Sequence, residues 1–131
     1  MDDKTYYGSL AEAKVIAELT KQRFYVFNQV SGKAPIDLIA LKGNETLRIS
    51  VKSTTVRAPS GAFAVQIGRV RSNKKSNFVY KFDPTTCEYV AIYLVELDKI
   101  CFVKSSEIQT SRYFSIKEDD IDKYRNVEGI A

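Results

Sequence analysis

Residues 35–52 read PIDLIALKGNETLRISVK, two β-rich runs at 36–41 and 46–52 on either side of Lys42-Gly43-Asn44-Glu45. That tetrapeptide has the composition of a tight hairpin turn. With Gly43-Asn44 as a two-residue loop, Lys42 faces Glu45, Leu41 faces Thr46, and Asp37 faces Ser50. Alternation then sorts the side chains. Leu38, Ala40, Leu47, Ile49 and Val51 form an apolar set on one side, while Asp37, Arg48, Ser50 and Lys52 share the other. Opposed residues have Cβ atoms roughly 5 Å apart and diagonal ones roughly 7 to 8 Å, which gathers Asp37, Ser50 and Lys52 into one polar patch. A carboxylate there can hold a hydrated Mg²⁺, an ion that keeps several waters and needs only one or two protein carboxylates. Lys52 beside it can orient an attacking water or stabilise charge on a phosphate.

Working outward toward the N-terminus, Leu10, Ala13, Ile16, Ala17 and Leu19 recur at helical spacing and predict a helix from Ser9 to about Gln22. Ser9 is its expected N-cap and Glu12 the capping-box partner. Phe24 to Gln29 reads as a first strand that ends at a loop marked by Ser31, Gly32, Lys33 and Pro35. Downstream, Ala62 to Ile67 reads as a strand, and Gly68 to Lys81 as a mobile basic loop with interleaved aromatics. Glu88 to Val95 and Lys99 to Val103 read as a buried hairpin turning near Leu97-Asp98. A short strand near Tyr113 to Ile116 and a helix from about Lys117 to Tyr124 complete the chain.

With 131 residues and 44% hydrophobic content, the chain can bury one core, so a single domain over residues 1–131 is expected. No run approaches the roughly 18 apolar residues of a membrane span, and residues 1–7 do not resemble an export signal. A soluble, intracellular protein of the cytoplasm, without membrane association, is the expectation. Histidine is absent from the sequence, which removes Ser-His and Cys-His nucleophile pairs. Cys87 and Cys101 lack zinc or redox spacing and read as small core hydrophobes. Any catalysis must then rest on carboxylates, lysine and metal. Residues 1–82 carry 14 Lys/Arg against 6 Asp/Glu, and residues 83–131 carry 6 against 10. A basic front with an acidic back suits a polyanion partner. Arg57, Arg69, Arg71, Lys74, Lys75 and Lys81, with Phe78 and Tyr80 among them, make a candidate DNA-contacting arm. Gln66 and either Arg69 or Arg71 are candidate base-edge readers if residues 62–71 form a β-ribbon. A solvated basic loop accounts for any single one of these residues equally well.

Gly8-x-x-x-Glu12 on the first helix, Pro35-Ile36-Asp37 opening the second strand and Ile49-Ser50-Val51-Lys52 closing the third resemble the PD-(D/E)xK nuclease core. Within it, the chain looks closest to the group I intron-encoded homing endonucleases. In those, a neutral residue can take the acidic position of the motif, where this chain has Ser50. Phe82-Asp83-Pro84, the run from Tyr89 to Tyr93 and Ile100 to Val103 resemble the closing strands of that family.

The resemblance implies an α/β (α+β) fold with a restriction-endonuclease-like αβββαβ core and a mixed central sheet. It implies an Mg²⁺-dependent (or Mn²⁺-dependent) endonuclease acting on double-stranded DNA. Asp37, Glu12 and Val51 would hold the metal, with Glu12, Asp37, Ser50 and Lys52 as the catalytic set. One such domain cuts one strand, so a homodimer or homotetramer is expected, its interface in the acidic C-terminal half. Ser50 motivates the rival reading of a DNA-binding module with an impaired site, because a hydroxyl is a far poorer Mg²⁺ ligand than a carboxylate. A Holliday-junction resolvase or a restriction enzyme of the same superfamily is a further alternative. Taken singly, Glu12 is better explained as a capping residue, Asp37 as turn chemistry and Lys52 as a strand-end charge.

Overall fold

Gly43 adopts φ +60°, and this positive φ at the first central residue closes the two-residue turn between β2 (Leu38–Lys42) and β3 (Glu45–Thr54). The computed structural model describes residues 1–72, 77–109 and 112–127, with the backbone alone for 69–72 and 77–80. The hairpin pairs Lys42 with Glu45, Leu41 with Thr46 and Leu38 with Ile49, the expected register. β1 (Tyr25–Asn28) joins β2 antiparallel. β7 (Tyr89–Leu94) joins β3 parallel, and β8 (Lys99–Lys104) closes the sheet antiparallel to β7. The order is thus β1-β2-β3-β7-β8, the mixed sheet expected from the sequence.

α1 spans Asp3–Lys21, six residues longer at its start than its apolar spacing predicts. Asp2 caps it, its carboxylate accepting from the Thr5 amide at 2.7 Å, a bond that also lowers the Asp2 pKa. Ser9 is therefore not an N-cap, and Glu12 is not the third residue of the first turn. Tyr6 is exposed on the outer face, so the first two turns carry no apolar stripe to announce them. At the other end Arg23 takes φ +76°, and the Phe24 amide donates to the Leu19 carbonyl at 3.0 Å. Phe24 and Leu19 share a core cluster, so the chain leaves the helix already buried.

Two clusters flank the sheet. Under α1 lie Val15, Leu19, Phe24, Leu38, Ala40, Leu47, Ile49, Tyr89, Ala91 and Phe102. On the opposite face Val90, Ile92, Leu94, Cys101 and Val103 pack against a second sheet, β4 (Phe63–Gln66) with β9 (Tyr113–Ile116). Every side chain of β7 is buried, as a strand covered on both faces requires. Among the described residues the second sheet packs on β7 and β8 and adjoins β3 through β4, while the outward side chains of β1 stay exposed. The link from β3 to its parallel partner is made of strands and loops rather than of a helix among the described residues.

Residues 68–81, read from sequence as a loop, instead contain an antiparallel pair, β5 (Arg69–Ser72) with β6 (Asn77–Tyr80). The terminal helix is a 3₁₀ segment, Glu118–Tyr124. Both cysteines are buried and unbridged. Burial pushes the Cys101 thiol up to about 11 and the Cys87 thiol upward as well, so neither is a thiolate nucleophile near neutral pH. Among the described residues no helix is long and apolar enough to cross a membrane.

Arg48 of β3 is tied to Glu88, which precedes β7, by Nε donating to both carboxylate oxygens and by Nη2. That guanidinium holds the Glu88 carboxyl below its ordinary 4.5. A carboxyl lowered by folding stabilises the fold above its unfolded pKa and loses that contribution as pH falls through the lower folded value. The urea midpoint of the wild-type chain is therefore expected to drop as pH falls from about 5 toward 3. Glu88→Gln should flatten that part of the profile; an unchanged slope would remove Glu88 as its source.

Candidate active site

Asp37 stands one residue before β2 begins. Ile36 packs into the cluster beside the second sheet, while Leu38 packs under α1. Residues two apart in a regular strand share a face, so the alternation breaks at Asp37. Its amide donates to the Ile49 carbonyl at 3.0 Å. Its carboxylate turns into the plane of the sheet, where Oδ2 accepts from the Val51 amide at 2.7 Å. The side chain thus continues the ladder where the backbone of β2 has stopped. Regular pairing had set Asp37 on the same wet face as Ser50; the break moves it to the sheet edge instead.

A residue in a strand directs its N–H and C=O to the same side. The Val51 carbonyl therefore opens on the edge that Asp37 occupies, and it offers an oxygen ligand that the valine side chain cannot. Ser50 and Lys52 alternate with it and lie on the face away from α1, paired with Val90 and Ile92 of β7. Both are half-buried.

Glu12 is half-buried on α1, beside the buried stripe of Ala11, Val15 and Leu19. Two contacts fix how that helix lies. Lys42 Nζ donates to the Gln22 carbonyl at 3.2 Å, which pins the helix C-terminus near the hairpin turn. Lys14 Nζ lies 3.1 Å from Asp98 Oδ1, and the Tyr93 hydroxyl donates to the same carboxylate, which pins the helix middle beyond the end of β7. Burial, then the Asp98 contact, pushes the Tyr93 phenol up to about 12, so it remains a donor. Lys14 and Glu18 flank the buried stripe on the β8 side, lining a cleft with Lys99 and Ile100. By helical geometry Glu12 flanks it on the other side, toward β2, at the end of the sheet that holds Asp37 and Lys52. The capping-box explanation having fallen with the helix start, no local bond of that kind accounts for this half-buried carboxylate.

Among the described residues no group of three or more histidines, cysteines or carboxylates comes together as a metal cluster. A cation at this edge would draw on Asp37, Glu12 and the Val51 carbonyl. These are hard oxygens, and a carboxylate that accepts one hydrogen bond retains lone pairs for a cation. That donor set fits an ion that keeps most of its water and suits Mg²⁺ or Mn²⁺.

The expected DNA-contacting residues fall differently. Arg57 is engaged within the protein: Nε donates to Glu96, Nη1 donates to Gly61 O and Glu118, and the guanidinium lies 4.1 Å from the Phe63 ring centroid. It clamps β4 to its surroundings and is withdrawn from the arm. Gln66 is exposed at the end of β4 and donates to the Gly68 carbonyl at 3.3 Å. The β-ribbon expected over residues 62–71 is in fact two separate pairings, β4 with β9 and β5 with β6. Lys74 and Lys75 lie outside the described residues, as do the side chains of Arg69 and Arg71.

An acid at the end of one strand, a lysine on the next and a carboxylate from the first helix are the arrangement of the PD-(D/E)XK endonucleases, and the chain matches the model of that family over residues 1–131. It belongs to the PD-(D/E)XK endonuclease family. Comparison with curated proteins gives no match. Among solved structures it is similar to a bacterial homing endonuclease, I-Ssp6803I, with a TM-score of 0.81 at 18% identity over 97% of this chain and 86% of that one. At that identity the likeness establishes a common fold.

Proposed function

We propose that the chain is a metal-dependent endonuclease that hydrolyses phosphodiester bonds in double-stranded DNA as a site-specific homing endonuclease. The observation that carries this reading is the Asp37 carboxylate held against the Val51 amide, which fixes an acid beside the Ile49-Ser50-Val51-Lys52 strand that carries the lysine. Asp37, Glu12 and the Val51 carbonyl hold Mg²⁺ or Mn²⁺. When bound, that cation supplies Lewis-acid polarisation of a phosphate oxygen. Lys52 donates hydrogen bonds to the phosphate or to the attacking water and meets negative charge as it develops. The basic residues Arg69, Arg71, Lys74 and Lys75 supply phosphate contacts and, with Gln66, base readout. Cutting both strands requires two such sites and hence a homodimer or homotetramer. Incubating supercoiled plasmid carrying the target with the chain, with and without Mg²⁺, tests this. Cleavage should require the ion and stop on chelation; cleavage that persists in chelator would overturn the metal role.

Ser50 favours a second reading, a nuclease fold kept for DNA binding with an impaired site, because its hydroxyl brings no charge where a carboxylate would strengthen the cation's hold. Ser50→Glu separates the two. If the site is active with few charged ligands, the added carboxylate should lower the Mg²⁺ concentration for half-maximal cleavage roughly tenfold. An unchanged Mg²⁺ titration would mean that position 50 does not reach the ion. A wild-type chain that binds duplex without cutting it would establish the binding-module reading.

A further inference from the structure

The side chains of β1 alternate, as a strand's must, but only one of its faces is covered. Val26 pairs with Ala40 and packs under α1. Tyr25 pairs with Leu41 and Phe27 with Ile39, so these four apolar side chains stand together on the face away from the helix. None of them belongs to either core cluster. Tyr25 is 73% exposed and Phe27 54%, Val30 just beyond the strand is fully exposed, and Ile39 and Leu41 are half-buried. Among the described residues the second sheet covers this face at β7 and β8, and Tyr25 and Phe27 stand exposed beyond it. A row of aromatic and aliphatic groups on an uncovered sheet face is a surface built for a partner, since such patches are rare on soluble monomers.

We propose that this face of β1 and β2, rather than the acidic C-terminal half expected from sequence, is the contact through which two copies of the chain associate about a two-fold axis, with Tyr25, Phe27, Ile39 and Leu41 at its centre. Charge and area both select a second copy. At a two-fold axis each residue meets its own kind or a near neighbour, so the centre of a self-pairing surface must be free of like charges. No charged residue occurs between Arg23 and Lys33, within an N-terminal part that is otherwise strongly basic. A polyanion would instead be drawn to the basic surfaces. An aromatic side chain hides roughly 150–250 Å² when enclosed, so the exposed fractions of Tyr25 and Phe27 offer roughly 250 Å², and Val30, Ile39 and Leu41 raise this to roughly 500 Å². Two copies would then bury about 1,000 Å², the lower bound of a specific interface. Arg48 and Thr46 of β3 lie next in the same rows, beside Ile39 and Leu41, and supply the polar rim such interfaces carry.

Sedimentation of the full chain at micromolar concentration decides the matter. The wild type should sediment as a dimer or a multiple of one. Phe27→Glu, which sets like charges against each other across the axis, should weaken association about a hundredfold. Phe27→Thr, which keeps a strand-forming residue but removes the ring, should weaken it less. Position 27 is more than half exposed, so both variants should retain the wild-type circular dichroism spectrum. A monomeric wild type, or a folded Phe27→Glu chain with undiminished mass, would overturn the interface. Mass is read without any cleavage, so this outcome is distinct from failure of the nuclease reading. If both hold, the Phe27→Glu chain nicks plasmid but no longer linearises it.

Discussion

Asp37→Asn is expected to lower plasmid cleavage by at least about a hundredfold while leaving the urea midpoint close to that of the wild type. The asparagine carbonyl oxygen can still accept from the Val51 amide, so the break in β2 and the edge of β3 are retained. What is lost is the negative charge that, under the proposed function, would hold a divalent ion, since an amide oxygen is a much weaker ligand for Mg²⁺ than a carboxylate. The pairing of measurements matters because Asp37→Ala removes ligand and hydrogen bond together, leaving the half-buried Val51 N–H without its acceptor. Full activity in Asp37→Asn would exclude this carboxylate from catalysis. Lost activity with an equally lowered urea midpoint would assign it a structural role alone.

The largest loss of stability is expected at Phe63. Its side chain is fully buried where β4 meets the main sheet, among Val65, Ile92 and Ile116. Phe63→Ala should cost about 3 to 5 kcal/mol, a sum of lost transfer energy and of the cavity left behind. A domain of this size is stable by about 5 to 15 kcal/mol, so the variant is expected at the margin of folding. The ring also serves as the platform on which the Arg57 guanidinium rests. Removing it should loosen the ion pairs from Arg57 to Glu96 and Glu118. Urea unfolding of Phe63→Ala beside Arg57→Met measures the two parts. Costs that simply add in the double variant would show that ring and guanidinium act separately.

The central hairpin was legible because its turn and its two flanking alternations agree, and agreement among local signals is what a sequence can display. The β7–β8 hairpin was legible from two apolar runs on either side of a short turn. The start of α1 was hidden because its first turns are solvated and lack periodic apolar residues; only Asp2 with its bond to the Thr5 amide marks it. The β5–β6 pair was hidden by its charges, which read as loop, although the alternation Arg69-Val70-Arg71 was available. Candidate site residues could be proposed from type and order, yet the break that swings Asp37 into the sheet plane could not. It depends on Ile36 and Leu38 entering different cores, a choice made by tertiary packing. The apolar face formed by Tyr25 and Phe27 could have been read from the unbroken run Phe24-Tyr25-Val26-Phe27, which has no polar residue to give either face to solvent.

The bond from Val51 to Asp37 spans 14 positions of chain, whereas the parallel ladder sets Ile49 against Tyr89, 40 positions away. Closing a short segment costs less chain entropy than closing a long one, and contacts between distant positions slow the search for the native state. The edge that would meet a scissile phosphate is therefore shaped early, by its own hairpin. The long excursion through β4, β5 and β6 must then come home, with Phe63 and Val65 entering the core, before β7 can shut the sheet.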